Sequence, residues 1–113
     1  MPRLAIIADD LTGALDSAAP FSAAPGGVVV ASHPDALPEA LAREAEVVAV
    51  STRSREVAPE AARAAVVAAL AALPAGIRVF KKVDSRLKGH VRDETRVCRD
   101  VFARSRIVIA PGV

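Results

Sequence analysis

Apolar residues alternate along the chain between two patterns: short β-branched runs and longer segments with helical spacing. The short runs are nearly continuous apolar stretches, which is typical of strands buried on both faces of a sheet. Five such runs occur, at residues 4–8, 28–31, 47–51, 77–81 and 106–110. They predict a sheet of about five mostly parallel strands.

The segments between these runs are rich in Ala, Leu, Arg and Glu and have the spacing of helices. The clearest covers residues 59–73, with Pro59 and an acidic residue in its first turn. The other predicted helices cover residues 11–24, with a kink or an end at Pro20, and residues 34–44 and 91–104. The alternation predicts an α/β fold, a Rossmann-like three-layer sandwich with helices on both faces of the sheet.

Composition narrows the class of protein further. The chain has 113 residues, of which 52% are hydrophobic and only 3% aromatic, which excludes a disordered chain, a collagen repeat and a disulfide scaffold. The single cysteine, Cys98, favours a reducing compartment, and no Cys/His set has the spacing of a zinc site. The longest apolar run, residues 64–73, falls short of the roughly 20 residues that cross a bilayer. We therefore expect a cytoplasmic protein without a membrane partner.

Charge is unevenly distributed although the net charge is only +2. Residues 1–77 contain five basic and nine acidic side chains, whereas residues 78–113 contain ten basic and four acidic ones. Such asymmetry can mark a surface for an anion or a nucleic acid. Because binding of single-stranded nucleic acid relies on base stacking and the chain has almost no aromatic residues, we expect no nucleic-acid partner.

Polar clusters follow three of the predicted strands. They cover residues 9–13, 51–55 and 81–90. Ligands of open α/β sheets bind beyond the carboxyl ends of the strands, so the three clusters are expected to form one site.

The acidic pair Asp9 and Asp10 favours a ligand other than a phosphate, which two carboxylates would repel. The spacing of a phosphate-binding P-loop is absent as well. Carboxylates at this position suit substrate hydroxyls, a metal ion or proton abstraction, and either one could instead cap the following helix.

The second and third clusters carry cations. Arg53 and Arg55 could bind a carboxylate through charge-assisted hydrogen bonds, or could lie in a solvated loop. In the third cluster, Lys81 and Lys82 lie at the end of a buried strand. Burying lysines is costly unless an anion pairs with at least one of them. Asp84 could pair with one of these lysines, and Ser85 could donate a hydrogen bond from its hydroxyl. The alternative is an internal cluster of ion pairs at the start of the next helix.

One class with similar architecture is a non-catalytic binding module of the receiver type. Receiver domains have this length, an acidic pair after the first strand and a lysine at a later strand end. They carry a phosphoacceptor aspartate after the third strand, where this chain has Ser51-Thr52-Arg53. The match to a receiver domain therefore fails at the decisive residue, and a non-catalytic binding or receiver-like signalling module is kept as the alternative to an enzyme-derived domain.

Three separated segments resemble the four-carbon acid sugar kinase family, in order and over almost the whole chain. They are IIADDLTGALDSAA at 6–19, STRSR at 51–55 and FKKVDSRLKGH at 80–90. The resemblance implies a domain that binds a sugar acid such as threonate, erythronate or a 2-oxo-tetronate. In this family a larger C-terminal domain binds ATP, with Mg²⁺, and the phosphoryl group goes to the terminal hydroxyl.

The resemblance also implies roles for individual residues. Asp9 or Asp10 would hold substrate hydroxyls, Arg53 would engage the substrate, and Lys82, Asp84 and Ser85 would complete the pocket. The family often has TLRGN where this chain has Arg86-Leu87-Lys88-Gly89-His90.

The length of the chain suggests that residues 1–113 form the acid-sugar-binding N-terminal domain of a two-domain kinase. No glycine-rich nucleotide site follows the motifs within these residues. We expect that the chain binds neither a cofactor nor a metal, that it is inactive without the ATP domain, and that its last strand could support a homo-oligomer.

Overall fold

Four parallel strands form the sheet in the computed structural model, which describes residues 2–102 and 108. They are β1 (Leu4–Ala8), β2 (Val28–Ala31), β3 (Val47–Ser51) and β4 (Arg78–Lys81), in the order β2-β3-β1-β4. The first three coincide with the predicted runs, and β4 begins one residue later than predicted. The fifth run, residues 106–110, lies outside the described residues except for Val108.

Three of the four helices begin where the pattern predicts, the second begins three residues later, and all four end earlier than predicted. They are α1 (Leu11–Ala18), α2 (Leu37–Ala42), α3 (Pro59–Ala71) and α4 (Val91–Val101). After α1 the chain continues in a 3-10 turn, Ala19–Phe21, because Pro20 has no N–H to extend the α-helical bonding. A second 3-10 turn, Pro34–Ala36, precedes α2 and occupies the first part of the predicted helix 34–44.

Helices cover both faces of the sheet over β1 and β3, which confirms the predicted three-layer α/β sandwich, whereas Arg78 and Phe80 of β4 are exposed. Ile6 and Ala8 of β1 pack with Ala14 and Ala18 of α1 on one face. The alternate residues of the strands face the other side, where they form a larger core with α2, α3 and α4, which includes Ala5, Ile7, Val48, Val50, Leu37, Val66, Leu70 and Val97. Within residues 2–102, no helix is long and apolar enough to cross a bilayer.

Strand order decides where a site can form. Neighbouring strands β1 and β3 end together, with Ala8 opposite Ser51. The helix that follows β1 packs on one face of the sheet, and α3, which follows β3, packs on the other. Helices that leave adjacent strands on opposite faces open a crevice at the carboxyl ends of those strands, the usual ligand position in such sheets.

Candidate functional site

Three carboxylates surround one guanidinium at the carboxyl end of β1. Arg55 Nη2 lies 2.9 Å from Asp9 Oδ1, and Arg55 Nε donates to the same carboxylate at 3.2 Å. Arg55 Nη1 lies 3.2 Å from Asp10 Oδ2 and 3.5 Å from Asp84 Oδ1. We call these four residues the Arg55 cluster. One cation among three carboxylates leaves the cluster with a formal charge of −2.

Backbone hydrogen bonds hold Asp9 and Arg55 next to each other. The carbonyl oxygen of Asp9 accepts from the backbone N–H of Ser54 at 3.0 Å and of Arg55 at 3.3 Å. These bonds attach residues 52–55, which follow β3, to the end of β1. Asp10 caps α1, because its Oδ1 accepts from the backbone N–H of Gly13 at 2.8 Å.

Asp84 reaches the cluster from a tight turn after β4. Its Oδ2 accepts from the backbone N–H of Arg86 at 2.9 Å and of Lys88 at 3.3 Å. Desolvation acts to raise the pKa of Asp84, but these hydrogen bonds and the charges of Lys88 and Arg55 outweigh it, so the pKa of Asp84 lies below its ordinary value. Asp84 is therefore a carboxylate at neutral pH.

Gly89 allows the same turn to close over Asp9. Its φ is +89°, in the left-handed region that favours glycine. A Cβ at Gly89 would collide with Oδ2 of Asp9 and would lie 3.4 Å from Cγ of Arg55. Close approach of the backbone to the cluster thus requires glycine here.

The guanidinium of Arg55 is held firmly in its charged form. Its hydrogen bond to Asp9 is the largest influence and raises the pKa of Arg55; burial opposes it, and the charges of Asp9, Asp10 and Asp84 add to the rise. Asp9 is 5% exposed, so this pair is largely removed from water. The open parts of the site are the carboxylate oxygens of Asp10, whose side chain is 34% exposed, and of Asp84.

The residues singled out by sequence are not all brought together. Asp9, Asp10 and Asp84 meet in the Arg55 cluster. Lys82 lies beside the start of α1, with its Cγ 3.5 Å from where a Cβ on Gly13 would be, and its Nζ donates to Val83 O at 2.6 Å.

Arg53 and Ser85 stand apart from the cluster. Arg53 is exposed, has an uncommon positive φ of 52°, and donates from Nε to Ser32 O at 2.9 Å. It therefore connects the ends of β3 and β2. Ser85 is exposed within the turn after β4.

Sequence reasoning missed the central position of Arg55. It treated Arg53 and Arg55 as one pair for an external carboxylate, whereas the chain turns between them and directs Arg55 to Asp9. The buried residue Glu94 was also missed. It is 1% exposed in the first turn of α4, and only the rarity of an acid on the inner side of a helix could have indicated it.

The site does not fit a metal ion or the phosphates of a nucleotide. Across residues 2–102 and 108, no group of three or more His, Cys, Asp or Glu side chains could hold a metal ion. The three carboxylates of the cluster turn to a guanidinium instead. The side chain of Asp10 occupies the amino end of α1, where a phosphate would otherwise find free N–H groups.

An open parallel sheet with a polar cluster at the crevice between β1 and β3 defines an α/β domain for a small polar ligand. Residues 4–113 match the family described as the sugar-binding N-terminal domain. The chain belongs to that family, which confirms the resemblance found in its motifs.

Two relatives extend this finding. The chain is 38% identical over 112 residues to a D-threonate kinase of Bordetella bronchiseptica, covering 96% of this chain and 28% of that protein. It is also 38% identical to a crystal structure of a domain of unknown function from Bordetella bronchiseptica, described as a domain-swapped dimer with bound citrate. That structure superimposes with a TM-score of 0.73 over 87% of this chain and 25% of its own. The chain thus spans about a quarter of the length of these relatives.

Proposed function

We propose that residues 1–113 form the substrate-binding part of an ATP-dependent kinase that phosphorylates a four-carbon sugar acid, such as D-threonate, on its terminal hydroxyl. The observation that carries the proposal is the Arg55 cluster at the crevice between β1 and β3, in which the carboxylates of Asp10 and Asp84 remain partly exposed. Membership in the sugar-binding family and the 38% identity to a D-threonate kinase support the same function.

The carboxylates of the site suit the hydroxyl groups of a polyhydroxy acid. Carboxylate oxygens accept hydrogen bonds from hydroxyl groups, and charge-assisted bonds of this kind are stronger than neutral ones. Asp10 and Asp84 bind the substrate hydroxyls through the acceptor positions that remain on their partly exposed carboxylates, since a carboxylate can accept about four hydrogen bonds. Asp9 is nearly buried and contributes through its hold on Arg55.

The carboxylate end of the substrate requires cations that the cluster does not offer, because Arg55 is already bound to three acids. Lys82 lies next to the cluster at the start of α1, and Arg53 lies on the other side, towards β2. We assign the substrate carboxylate to Lys82, beside the cluster, and contacts at the rim of the site to Arg53 and to the hydroxyl of Ser85. A sugar acid would then lie across the crevice between opposite charges.

ATP and Mg²⁺ would be bound by residues outside this chain, because the described edge does not fit phosphates. The kinase reaction moves the γ-phosphoryl group of ATP to the substrate oxygen, which loses its proton. This domain contributes by positioning the hydroxyl, and positioning is a large part of phosphoryl-transfer catalysis. Alone, the chain is therefore expected to be inactive.

Calorimetry with the 113-residue chain tests the binding proposal. We expect D-threonate or D-erythronate to bind at a single site. Asp10→Asn keeps a good helix cap but removes one charge, and it should weaken binding about tenfold. Asp16→Asn, exposed on the same helix, is the matched control and should bind as the wild type does. If neither sugar acid binds at millimolar concentration, the proposal is wrong.

A second experiment tests inactivity. The chain is incubated with ATP, Mg²⁺ and D-threonate, and products are followed by ³¹P NMR. We expect no phosphorylated sugar acid, and steady formation of one would contradict the assignment of ATP to residues outside this chain.

We also propose that the chain self-associates, because a relative with 38% identity is described as a domain-swapped dimer. Light scattering after size exclusion measures the mass directly. A dimer is expected, and a mass of 11.7 kDa at all concentrations would contradict it. The cytoplasmic location and the absence of a nucleic-acid partner stay predictions.

A further inference from the structure

A buried polar group lies directly beneath the Arg55 cluster and takes no part in the proposed binding. Glu94, on α4, is 1% exposed, and the side chain of Lys81, at the end of β4, is 8% exposed. Lys81 Nζ lies 3.2 Å from Glu94 Oε1, and the other oxygen, Oε2, accepts from Ser54 Oγ at 2.7 Å. Burial of a charged pair is costly, so its position calls for a reason beyond stability alone.

Ser54 connects this pair to the candidate site. Its side chain is fully buried, its backbone N–H donates to Asp9 O at 3.0 Å, and the next residue is Arg55. Glu94 on α4 is thereby linked through the hydroxyl of Ser54 to the loop that carries Arg55. The link spans three elements that are separate in sequence.

Counting protons shows which way the hydrogen bonds run. Thr52 Oγ1 lies 2.6 Å from Ser54 Oγ and 3.1 Å from Ala8 O, so three oxygen contacts share two hydroxyl protons. The hydroxyl of Ser54 donates to Glu94 Oε2, so its single proton is used there. Thr52 then donates to Ser54. Ala8 O keeps the backbone N–H of Thr52 at 2.8 Å as its donor.

We propose that Glu94 is a positioning residue for the sugar-acid site: paired with Lys81, it holds Ser54 and so presents Arg55 to the three carboxylates. The inference rests on the proposed function for its effect on binding. Oε1 of Glu94 has no well-directed hydrogen bond among the described residues, so Lys81 holds it by charge while Oε2 remains available for Ser54. The pair thus holds an acceptor at one fixed point under the loop.

Two variants separate the charge of Glu94 from its hydrogen bond to Ser54. Glu94→Gln keeps the shape of the side chain and removes its charge, whereas Ser54→Ala keeps the ion pair and removes its link to the loop. Glu60→Gln, in the exposed first turn of α3, and Ser22→Ala, also exposed, are the matched controls.

Each variant is measured in two ways on the 113-residue chain. Calorimetry gives the dissociation constant for D-threonate. Proton–nitrogen NMR gives the solvent exchange rate of the Arg55 Nε–H, which donates to Asp9 and is assigned by its absence in Arg55→Lys. The second readout needs no ligand and reports on the hydrogen bond of the Arg55 side chain itself.

We expect both variants to weaken D-threonate binding and to speed exchange of the Arg55 Nε–H, each about tenfold, with both controls unchanged. Wild-type affinity and wild-type exchange in both variants would overturn the proposal. If Glu94→Gln does not fold, Ser54→Ala decides alone. If the wild type binds no sugar acid, the proposed function fails, and the exchange rates still decide whether Glu94 positions Arg55.

Discussion

Two charged groups lie one above the other in this domain and differ in how completely their charges are matched. The Arg55 cluster has three carboxylates for one cation and opens to the crevice, with the side chains of Asp10 and Asp84 34% and 16% exposed. Lys81 and Glu94 form a balanced pair with almost no exposure. The excess of acceptors at the surface is suited to a ligand, whereas the closed pair beneath it is suited to holding the structure.

The comparison also separates two lysines that are adjacent in sequence. Side chains of successive strand residues point to opposite faces. Lys81 therefore enters the side of α3 and α4, where Glu94 meets it, and Lys82 lies on the side of α1. One residue of difference decides whether a lysine stabilises the interior or is available at the site.

The largest expected effect comes from breaking the buried pair. Glu94→Ala leaves Lys81 buried without a counter-charge, and we expect a loss of about 3–5 kcal/mol in the free energy of unfolding. Urea denaturation measures it. The double variant Lys81→Met/Glu94→Leu should be nearly as stable as the wild type, because both charges are removed and no isolated charge remains buried. A loss below about 1 kcal/mol in the single variant would place the pair among ordinary surface pairs.

A smaller effect is expected in the Arg55 cluster. Arg55→Ala leaves three carboxylates together, one of them buried, and should cost about 2 kcal/mol in the free energy of unfolding, since the cluster is partly solvated. Arg53→Ala, two residues earlier but exposed, should change stability by less than about 0.5 kcal/mol. Equal losses in the two variants would contradict the difference that the structure assigns to these arginines.

The fit of the turn over Asp9 can be tested with two glycines. Gly76 and Gly89 both have a positive φ, of 81° and 89°, but only Gly89 has atoms within 4 Å of a built Cβ. Gly76→Ala should cost about 1 kcal/mol through its backbone conformation alone. Gly89→Ala should cost about 1 kcal/mol more, because the added methyl displaces Asp9. Thermal unfolding of both variants gives the difference, and equal costs would mean that the turn does not press on the cluster.

The smallest expected effect concerns the stability of the fold at acidic pH. The pKa of Asp84 is lowered from 3.8, so the folded state binds fewer protons at this group than the unfolded state. Its contribution to stability is present above that value and is lost as the pH falls through the lowered pKa. Asp84→Asn should flatten the fall in stability below about pH 4. Urea midpoints at pH 3 and pH 7 measure this fall. The same fall in Asp84→Asn and in the wild type would show that the carboxylate of Asp84 does not stabilise the folded state.

Local signals predicted the scaffold well. The apolar runs at residues 4–8 and 47–51 coincide with β1 and β3, since burial on both faces demands continuous apolar residues, and the run at 28–31 coincides with the half-buried edge strand β2. Helix ends were less predictable. Hydrophobic spacing continues past Ala71, but the helix ends there and the chain turns at Gly76, whose φ is positive.

Cys98 illustrates a residue for which local pattern and structure agree. In the sequence it lies on the apolar side of the predicted helix 91–104, a position typical of an inert core thiol. It packs against the larger core, and burial is the main cause that raises the pKa of Cys98 to about 11. Few thiolates form at neutral pH under such conditions.

By itself, the sequence determined the α/β layers, the edge at which the polar residues gather and the family to which they belong. These follow from periodicity and from motifs that each lie within a single segment. Only the tertiary structure decided that Arg55 rather than Arg53 meets Asp9, and that Glu94 lies under the loop through Ser54. Those contacts join residues about 40 positions apart. Their partners depend on strand order and on the direction of each side chain, which no local pattern records.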